Sequence, residues 1–179
     1  MTASNLPDLT LRRCEPGDIP AITAIYADSV LHGLASFELD PPSEDEMTVR
    51  WRALMSAGYP YLVAEQAGAI LAYAYASPYR PRPAYGGTVE NSVYVRKDCQ
   101  GKGIGSLLLQ RLIAEAETAG FRQMVAVIGD SANTGSIRLH ERLGFRLVGT
   151  LRSVGWKHRQ WLDTVLMQRT LGDGDLSPR

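Results

Sequence analysis

Apolar residues recur along this chain with two periods, and each period predicts a different kind of element. In residues 17–31 and 43–57 they stand three or four positions apart, which predicts two amphipathic helices. Asp18 is a candidate N-cap for the first helix, and Ser43 with Glu46 has the spacing of a capping box for the second. Two helices are therefore expected before the first long strands.

Runs rich in valine, isoleucine, tyrosine and alanine predict strands in the rest of the chain. The runs YLVAE and AILAYAYAS flank a turn at 66–68, which predicts a hairpin, and the proline-rich residues 78–87 predict a loop. The remaining elements follow in the order strand TVENSVYV, helix over about 103–119, strand MVAVIG, short helix NTGSIRLHERL, and strands FRLVGTLRS and WLDTVLMQRT. The central strand–helix–strand unit predicts parallel strands. We therefore expect one α+β domain over residues 9–171 and a flexible tail over 172–179.

The composition narrows the class of protein. Basic and acidic residues number 19 each, and this zero net charge argues against a nucleic acid or a membrane surface as the main partner. No apolar run reaches the length of about 20 residues that spans a bilayer, and the N-terminus lacks the features of a signal peptide. The two cysteines, Cys14 and Cys99, and the three histidines form no metal-binding spacing. A cytoplasmic protein with free thiols and no metal is predicted.

Three glycines at alternate positions, Gly101, Gly103 and Gly105, precede the central helix. Free N–H groups at a helix N-terminus bind anions, and a residue without a Cβ lets phosphate oxygens approach the backbone. The segment does not fit a P-loop, because Gly103 follows the Gly-Lys pair where serine or threonine is required. It does not fit the dinucleotide-binding pattern either, because Ser106 stands in place of the third glycine. From the glycines alone, a plain tight turn is the alternative.

The segment from Gln100 to Gly105 resembles the Q/R-x-x-G-x-G/A motif of the GCN5-related N-acetyltransferases (GNAT). Further blocks resemble the phosphinothricin and methionine-sulfone N-acetyltransferase subfamily, including TVENSVYVRKDCQGKGIGS, GFRQMVAVIGDSANTGSIRLHERLGF and GTLRSVGWKHRQWLDTVLMQR. The resemblance extends from about Leu11 to Leu171. It implies the GNAT fold, in which a mixed, mostly antiparallel sheet with a splayed parallel strand pair is flanked by helices.

The resemblance also implies acetyl-CoA as cosubstrate, with its pyrophosphate held by backbone N–H groups of the glycine segment. The residues that it implies for cofactor binding are Val93, Tyr94, Val95, Gln100, Gly101, Lys102, Gly103, Ile104, Gly105, Ser106 and Asn133. For Lys102 a solvated side chain is an alternative, and for Asn133 a helix N-cap, a role compatible with cofactor contact.

Two residues are candidates for proton transfer. Strand alternation places Glu90 on one face together with Ser92 and Tyr94, and an acid at this position of an apolar strand would have a raised pKa. The subfamily has a glutamate here that is implicated as the base; the alternative from pattern alone is a surface glutamate. His140 stands where many GNAT members have a tyrosine that protonates the thiolate, and it is either that acid or a hydrogen-bonded core residue. Tyr94 and Tyr75 are the alternative acids.

The acceptor is expected next to this strand. The subfamily carries basic residues in the loop before it, and here Arg80, Pro81 and Arg82 occupy that loop; a solvated loop is the alternative. Glu90, Asn91 and Ser92 are predicted to line the acceptor site as well. The three tryptophans, Trp51, Trp156 and Trp161, are predicted to serve packing.

The expected function is therefore acetyl-CoA-dependent N-acetylation of the α-amino group of small amino-acid-like acceptors by direct transfer. Phosphinothricin, methionine sulfone and methionine sulfoximine are the acceptors that the resemblance implies, and their acetylation would be a detoxification. The alternatives are an acetyltransferase for another amine and a catalytically silent sensor that binds acetyl-CoA. The resemblance also implies a homodimer.

Overall fold

The computed structural model describes residues 8–178; Arg179 and residues 1–7, to which the signal-peptide prediction refers, lie outside the described residues. The helices are α1 (Ile19–His32), α2 (Glu44–Ser56), α3 (Ile104–Thr118) and α4 (Thr134–Arg142). The strands are β1 (Thr10–Arg13), β2 (Tyr61–Gln66), β3 (Ala69–Pro78), β4 (Thr88–Val95), β5 (Gln123–Gly129), β6 (Arg146–Lys157) and β7 (Gln160–Thr170).

The strands form one seven-stranded sheet in the order β1-β2-β3-β4-β5-β7-β6. Every neighbouring pair is antiparallel except β4 and β5, which are joined through α3 and run parallel. The sheet separates two hydrophobic cores: the first lies between the sheet and α3, and the second lies between the other face and helices α1 and α2. The α+β prediction and the parallel central pair are confirmed.

Most local signals act as predicted. The β2–β3 hairpin turns at Ala67 and Gly68, both with positive φ, and the Ser43 side chain accepts a hydrogen bond from the Glu46 N–H at the start of α2. The prediction that the Asp18 side chain caps α1 is wrong. The Asp18 carboxylate makes no side-chain cap to α1, because it accepts hydrogen bonds from the Arg12 guanidinium and from the Glu15 N–H instead.

The residues after β7 form turns. Leu171 is buried and its N–H donates to the Arg122 carbonyl, while the Arg122 side chain donates to Ser177 and to the Pro178 carbonyl. No helix of the described chain has the length and apolar character needed to cross a bilayer. Within residues 8–178, no group of three or more His, Cys, Asp or Glu side chains is placed to hold a metal ion.

Candidate active site

The site is organised by a gap between β4 and β5. The two strands pair only over Thr88–Asn91 and Gln123–Ala126, although β4 continues to Val95 and β5 to Gly129. The Arg96 N–H donates to the Leu71 carbonyl on β3, and backbone groups alternate sides along a strand. The N–H groups of Val93 and Val95 therefore point away from β3 into the gap. Such groups can hold an extended chain or a carbonyl oxygen between the strands.

The glycine segment follows the end of β4 and leads into α3. Hydrogen bonds to protein acceptors are absent for five consecutive N–H groups, those of 101–105, among the residues that the structure describes. Gly101 and Gly103 have φ of 74° and 85°, and a Cβ at either would meet no protein atom within 4 Å. Free N–H groups beside open space at a helix N-terminus form an anion-binding site.

Neighbouring residues of the segment have structural partners. Gly105 lies against β4 and α4, since a Cβ there would come within 3.4 Å of Leu139 and Val95, and Ile104 is buried beneath the helix start. The Gln100 side chain donates to the Val95 carbonyl and ties the segment to the end of β4. The Ser106 N–H already donates to the Gly103 carbonyl, so the free N–H groups end at residue 105.

Glu90 lies on β4 before the gap, half-buried, on the face covered by α1 and α2. Burial raises the pKa of its carboxyl group, and the positive charge of Arg80 opposes that rise. Its carboxylate has no hydrogen-bond partner among the described side chains and backbone groups. A half-buried carboxyl group with a raised pKa and no protein partner is a candidate general base.

The surroundings of Glu90 are aromatic and charged. Tyr75 is paired with Ser92 across β3 and β4; burial raises its pKa, a hydrogen bond with the Ser92 side chain opposes that rise, and the charge of Glu90 acts on it as well. Arg80 lies in the exposed loop after β3, with its guanidinium carbon 5.1 Å from the centre of the Tyr79 ring. Glu90 and Ser92 thus share one face of β4, and Arg80 is close enough for its charge to act on Glu90.

Asn91 and His140 are not part of this group. Asn91 lies on the α3 side of β4, where its amide donates to the Val125 carbonyl and its Oδ1 is 3.0 Å from His140 Nε2. His140 is 4% exposed; its Nδ1 lies 2.8 Å from the Ser136 carbonyl oxygen and its Nε2 faces Asn91 Oδ1, so a neutral ring donates to only one of these two oxygens. Burial lowers the pKa of His140, partly offset by the contact with the Ser136 carbonyl. Both residues lie at the point where the pairing of β4 and β5 ends and the two strands separate.

The remaining candidates are distributed around the gap. Asn133 accepts the Ser136 N–H and so caps α4, as the N-cap alternative predicted, in the turn after β5. Lys102 is exposed next to the free N–H groups, and Tyr94 packs its ring against Tyr26 and Tyr73 in the second core. Pro81 and Arg82 are exposed in the loop with Arg80. In sum, the gap joins an anion site at one end to a partly buried carboxyl group at the other.

Comparison with known proteins places this geometry among acetyltransferases. Residues 24–145 match the family model described as "Acetyltransferase (GNAT) family". The chain is 52% identical to a phosphinothricin N-acetyltransferase of Alcaligenes faecalis, over 93% of this chain and 84% of that protein. It is 43% identical to an L-methionine sulfoximine/L-methionine sulfone acetyltransferase of Pseudomonas paraeruginosa, over 90% and 94% of the two chains.

A solved structure shows the same likeness. The crystal structure of a GNAT superfamily phosphinothricin acetyltransferase from Sinorhizobium meliloti in complex with AcCoA superimposes with a TM-score of 0.92 at 47% identity. The superposition covers 96% of this chain and 92% of that chain.

Proposed function

This chain belongs to the acetyltransferase (GNAT) family, and on that premise we propose that it transfers the acetyl group of acetyl-CoA to the α-amino group of small amino-acid-like acceptors. The acceptors are those for which its relatives are named: phosphinothricin, methionine sulfone and methionine sulfoximine. The observation that carries the proposal is the run of free N–H groups at 101–105, which opens onto the gap beside Glu90.

The residues around the gap have distinct tasks in this reaction. Acetyl-CoA supplies the reactive thioester, and the diphosphate of its coenzyme A moiety fits the N–H groups of 101–105. Glu90 takes a proton from the acceptor ammonium, directly or through water, and the neutral nitrogen forms a bond to the acyl carbon as the C–S bond breaks. The proton that the bonded nitrogen then loses balances the one that the departing thiolate gains. The N–H groups of Val93 and Val95 stabilise the negative charge that develops on the carbonyl oxygen. Protonation of the departing thiolate by His140 stays a prediction, and it requires a protonated ring nitrogen to give up its contact with Asn91 or Ser136.

A thiol-release assay with a panel of amines tests the function. With acetyl-CoA and phosphinothricin, methionine sulfone or methionine sulfoximine, we expect release of CoA and a stoichiometric N-acetyl product. Plain amino acids, a polyamine and an aminoglycoside serve as comparison acceptors. Binding of acetyl-CoA without CoA release for any acceptor would favour the silent sensor, and preference for a polycation would overturn the acceptor class.

Replacing Arg80 by methionine should weaken acceptor binding. A guanidinium binds a carboxylate or a phosphinate with charged hydrogen bonds, so the acceptor KM should rise about tenfold with little change in the KM for acetyl-CoA. Because the Arg80 charge lowers the pKa of Glu90, the acid limb of the kcat/KM profile should also move to higher pH. Arg82→Met in the same loop is the matched control. Equal effects of both variants on the acceptor KM would contradict a specific role of Arg80.

We also propose a homodimer formed through the outer strands of the sheet. β6 is an edge strand, and exposed apolar side chains are concentrated on β6 and β7. They are Leu147, Val148, Leu151, Val154, Trp156 and Trp161. The packing prediction is wrong for Trp156 and Trp161, which are 55% and 63% exposed and contact each other. A second copy would cover both the unpaired edge and these side chains.

Light scattering after size-exclusion chromatography tests the dimer. We expect twice the chain mass for the wild type and the chain mass for Leu151→Glu. Val49→Glu places the same charge at an exposed apolar position of α2 and should leave the mass unchanged. A wild type with the mass of one chain would refute the proposal.

The biological setting is a further part of the proposal. Acetylation removes the positive charge of the α-amino group, so acceptors that act as amino-acid mimics would be detoxified. Cys14 and Cys99 are both free and buried, in keeping with a reducing cytoplasm.

A further inference from the structure

Lys157, the last residue of β6, is a buried lysine without an ion pair. The residue is 3% exposed, and its Nζ donates to the Ser36 carbonyl at 2.6 Å. No carboxylate lies within 4.0 Å of Nζ in the described part of the chain. Burial lowers the pKa of Lys157, and the charge of Glu38 opposes this. Burying a charged group costs free energy, so packing alone does not explain a lysine at this position.

The partner of Lys157 belongs to a segment between α1 and α2, Leu34–Glu38, which we call the strap. The strap lies directly on the carboxyl ends of β5 and β6. A Cβ at Gly129 would stand 2.7 Å from the Leu34 carbonyl oxygen, and a Cβ at Gly155 would collide with the Phe37 ring. Two glycines therefore allow the strap to approach the strand ends, and the Lys157 hydrogen bond holds it there.

The other contacts of the strap reach towards β4. Ser36 Oγ shares a hydrogen bond of 3.0 Å with the Tyr26 hydroxyl and accepts the N–H of Glu38. The Tyr26 ring meets the Tyr94 ring edge to face at 5.0 Å. The strap thus connects the end of β5 to the side chains of β4 on the α1 face, which is the face of Glu90. At the end of the strap, Glu38 forms an ion pair with Arg50 of α2, the other helix that covers this face.

We propose that Lys157 is a positioning residue for acetyl transfer: its ammonium group holds the strap at Ser36 and thereby fixes the acceptor side of the gap. The inference rests on the proposed function for its catalytic consequence, whereas the restraint on the strap is a property of the free protein. A lysine that fixes a segment through a single carbonyl stabilises position more than fold, because its desolvation offsets the hydrogen bond that it makes.

Lys157→Met keeps the aliphatic bulk and removes the donor, so it separates the effect on the position of the strap from the effect on the stability of the fold. Hydrogen exchange of the amides in 34–38 should become faster, while the melting temperature should stay the same or rise. The acceptor kcat/KM should fall about tenfold, with the KM for acetyl-CoA changed less than about twofold. Arg146→Met, which removes an exposed cation from the other end of β6, should change none of these quantities.

Two results would overturn the inference. One is unchanged exchange in 34–38 of Lys157→Met, and the other is an unchanged acceptor kcat/KM in that variant. Exchange is measured without acetyl transfer, so an inactive wild type would refute the proposed function and leave the restraint on the strap to be decided by exchange alone. If Lys157→Met fails to fold, Lys157→Leu, which also lacks a donor, takes its place; faster exchange in 34–38 than in Arg146→Met then supports the restraint, and equal exchange refutes it.

Discussion

Glu90→Gln is expected to lower kcat at neutral pH by about 100-fold or more, the range in which removal of a general base falls. The amide cannot accept a proton from the acceptor ammonium, so only the small fraction of acceptor that is already neutral can react. Acetyl-CoA binding should be unchanged, because the free N–H groups of 101–105 do not involve Glu90. Steady-state kinetics with a panel acceptor, together with calorimetric titration of acetyl-CoA, measures both quantities.

The pH dependence distinguishes a base from a residue that only shapes the pocket. Wild-type kcat/KM should fall as pH drops through the raised pKa of Glu90, whereas Glu90→Gln should follow the titration of the acceptor amine alone. The deficit should therefore be largest at low pH and shrink as the amine becomes neutral. A deficit that is constant across the pH range would contradict the role of Glu90 as base, and Glu141→Gln on the exposed side of α4 is the control.

Stability should move in the opposite direction to activity. A carboxyl pKa that is raised in the folded state contributes stability below the unfolded pKa, and that contribution is lost as pH rises through the folded pKa. Above that pKa the charged Glu90 carboxylate lowers the folding stability, and the neutral glutamine does not. Glu90→Gln should accordingly melt at the same or a higher temperature at pH 8, so its lost activity cannot be attributed to unfolding.

Much of the fold follows from local patterns. Alternation and turn residues predict the β2–β3 hairpin, and the glycine segment followed by an apolar helix predicts the parallel crossover. The GNAT fold is confirmed by the superposition with its solved relatives. The strand β1 is not predicted, because four residues carry too little pattern and its pairing with β2 bridges about 50 residues. Asp18 shows the same limit, since Arg12 competes for a carboxylate that local rules assign to a cap.

The candidate site also has some features that local patterns predict and others that depend on distant residues. Alternation alone places Glu90 and Ser92 on one face of β4 and Asn91 on the other, and the glycine spacing identifies the anion site. The Asn91–His140 bond joins residues 49 positions apart, and Lys157 meets Ser36 across 121 positions. No periodicity encodes such pairs. They arise only when the sheet brings α4 and the strap to the two sides of the gap.

Gly103→Ala is expected to weaken acetyl-CoA binding about tenfold or more, which corresponds to the loss of one charged hydrogen bond to phosphate. Gly103 has a φ of 85°, and alanine in this region costs about 1–2 kcal/mol. The backbone can relieve this strain only by rotating N–H groups away from their common direction. Calorimetric titration with acetyl-CoA and with CoA measures the effect, and the two ligands should lose affinity equally because they share the diphosphate.

Gly120 at the other end of α3 supplies the matched control for Gly103→Ala. Its φ is also 85°, and a Cβ there likewise meets no atom within 4 Å, so Gly120→Ala carries the same backbone strain. Both variants should therefore lose similar melting temperature, but only Gly103→Ala should lose affinity. Equal affinity for the two variants would mean that the N–H groups of 101–105 do not hold the diphosphate, and the proposed position of acetyl-CoA beside Glu90 would be wrong with them.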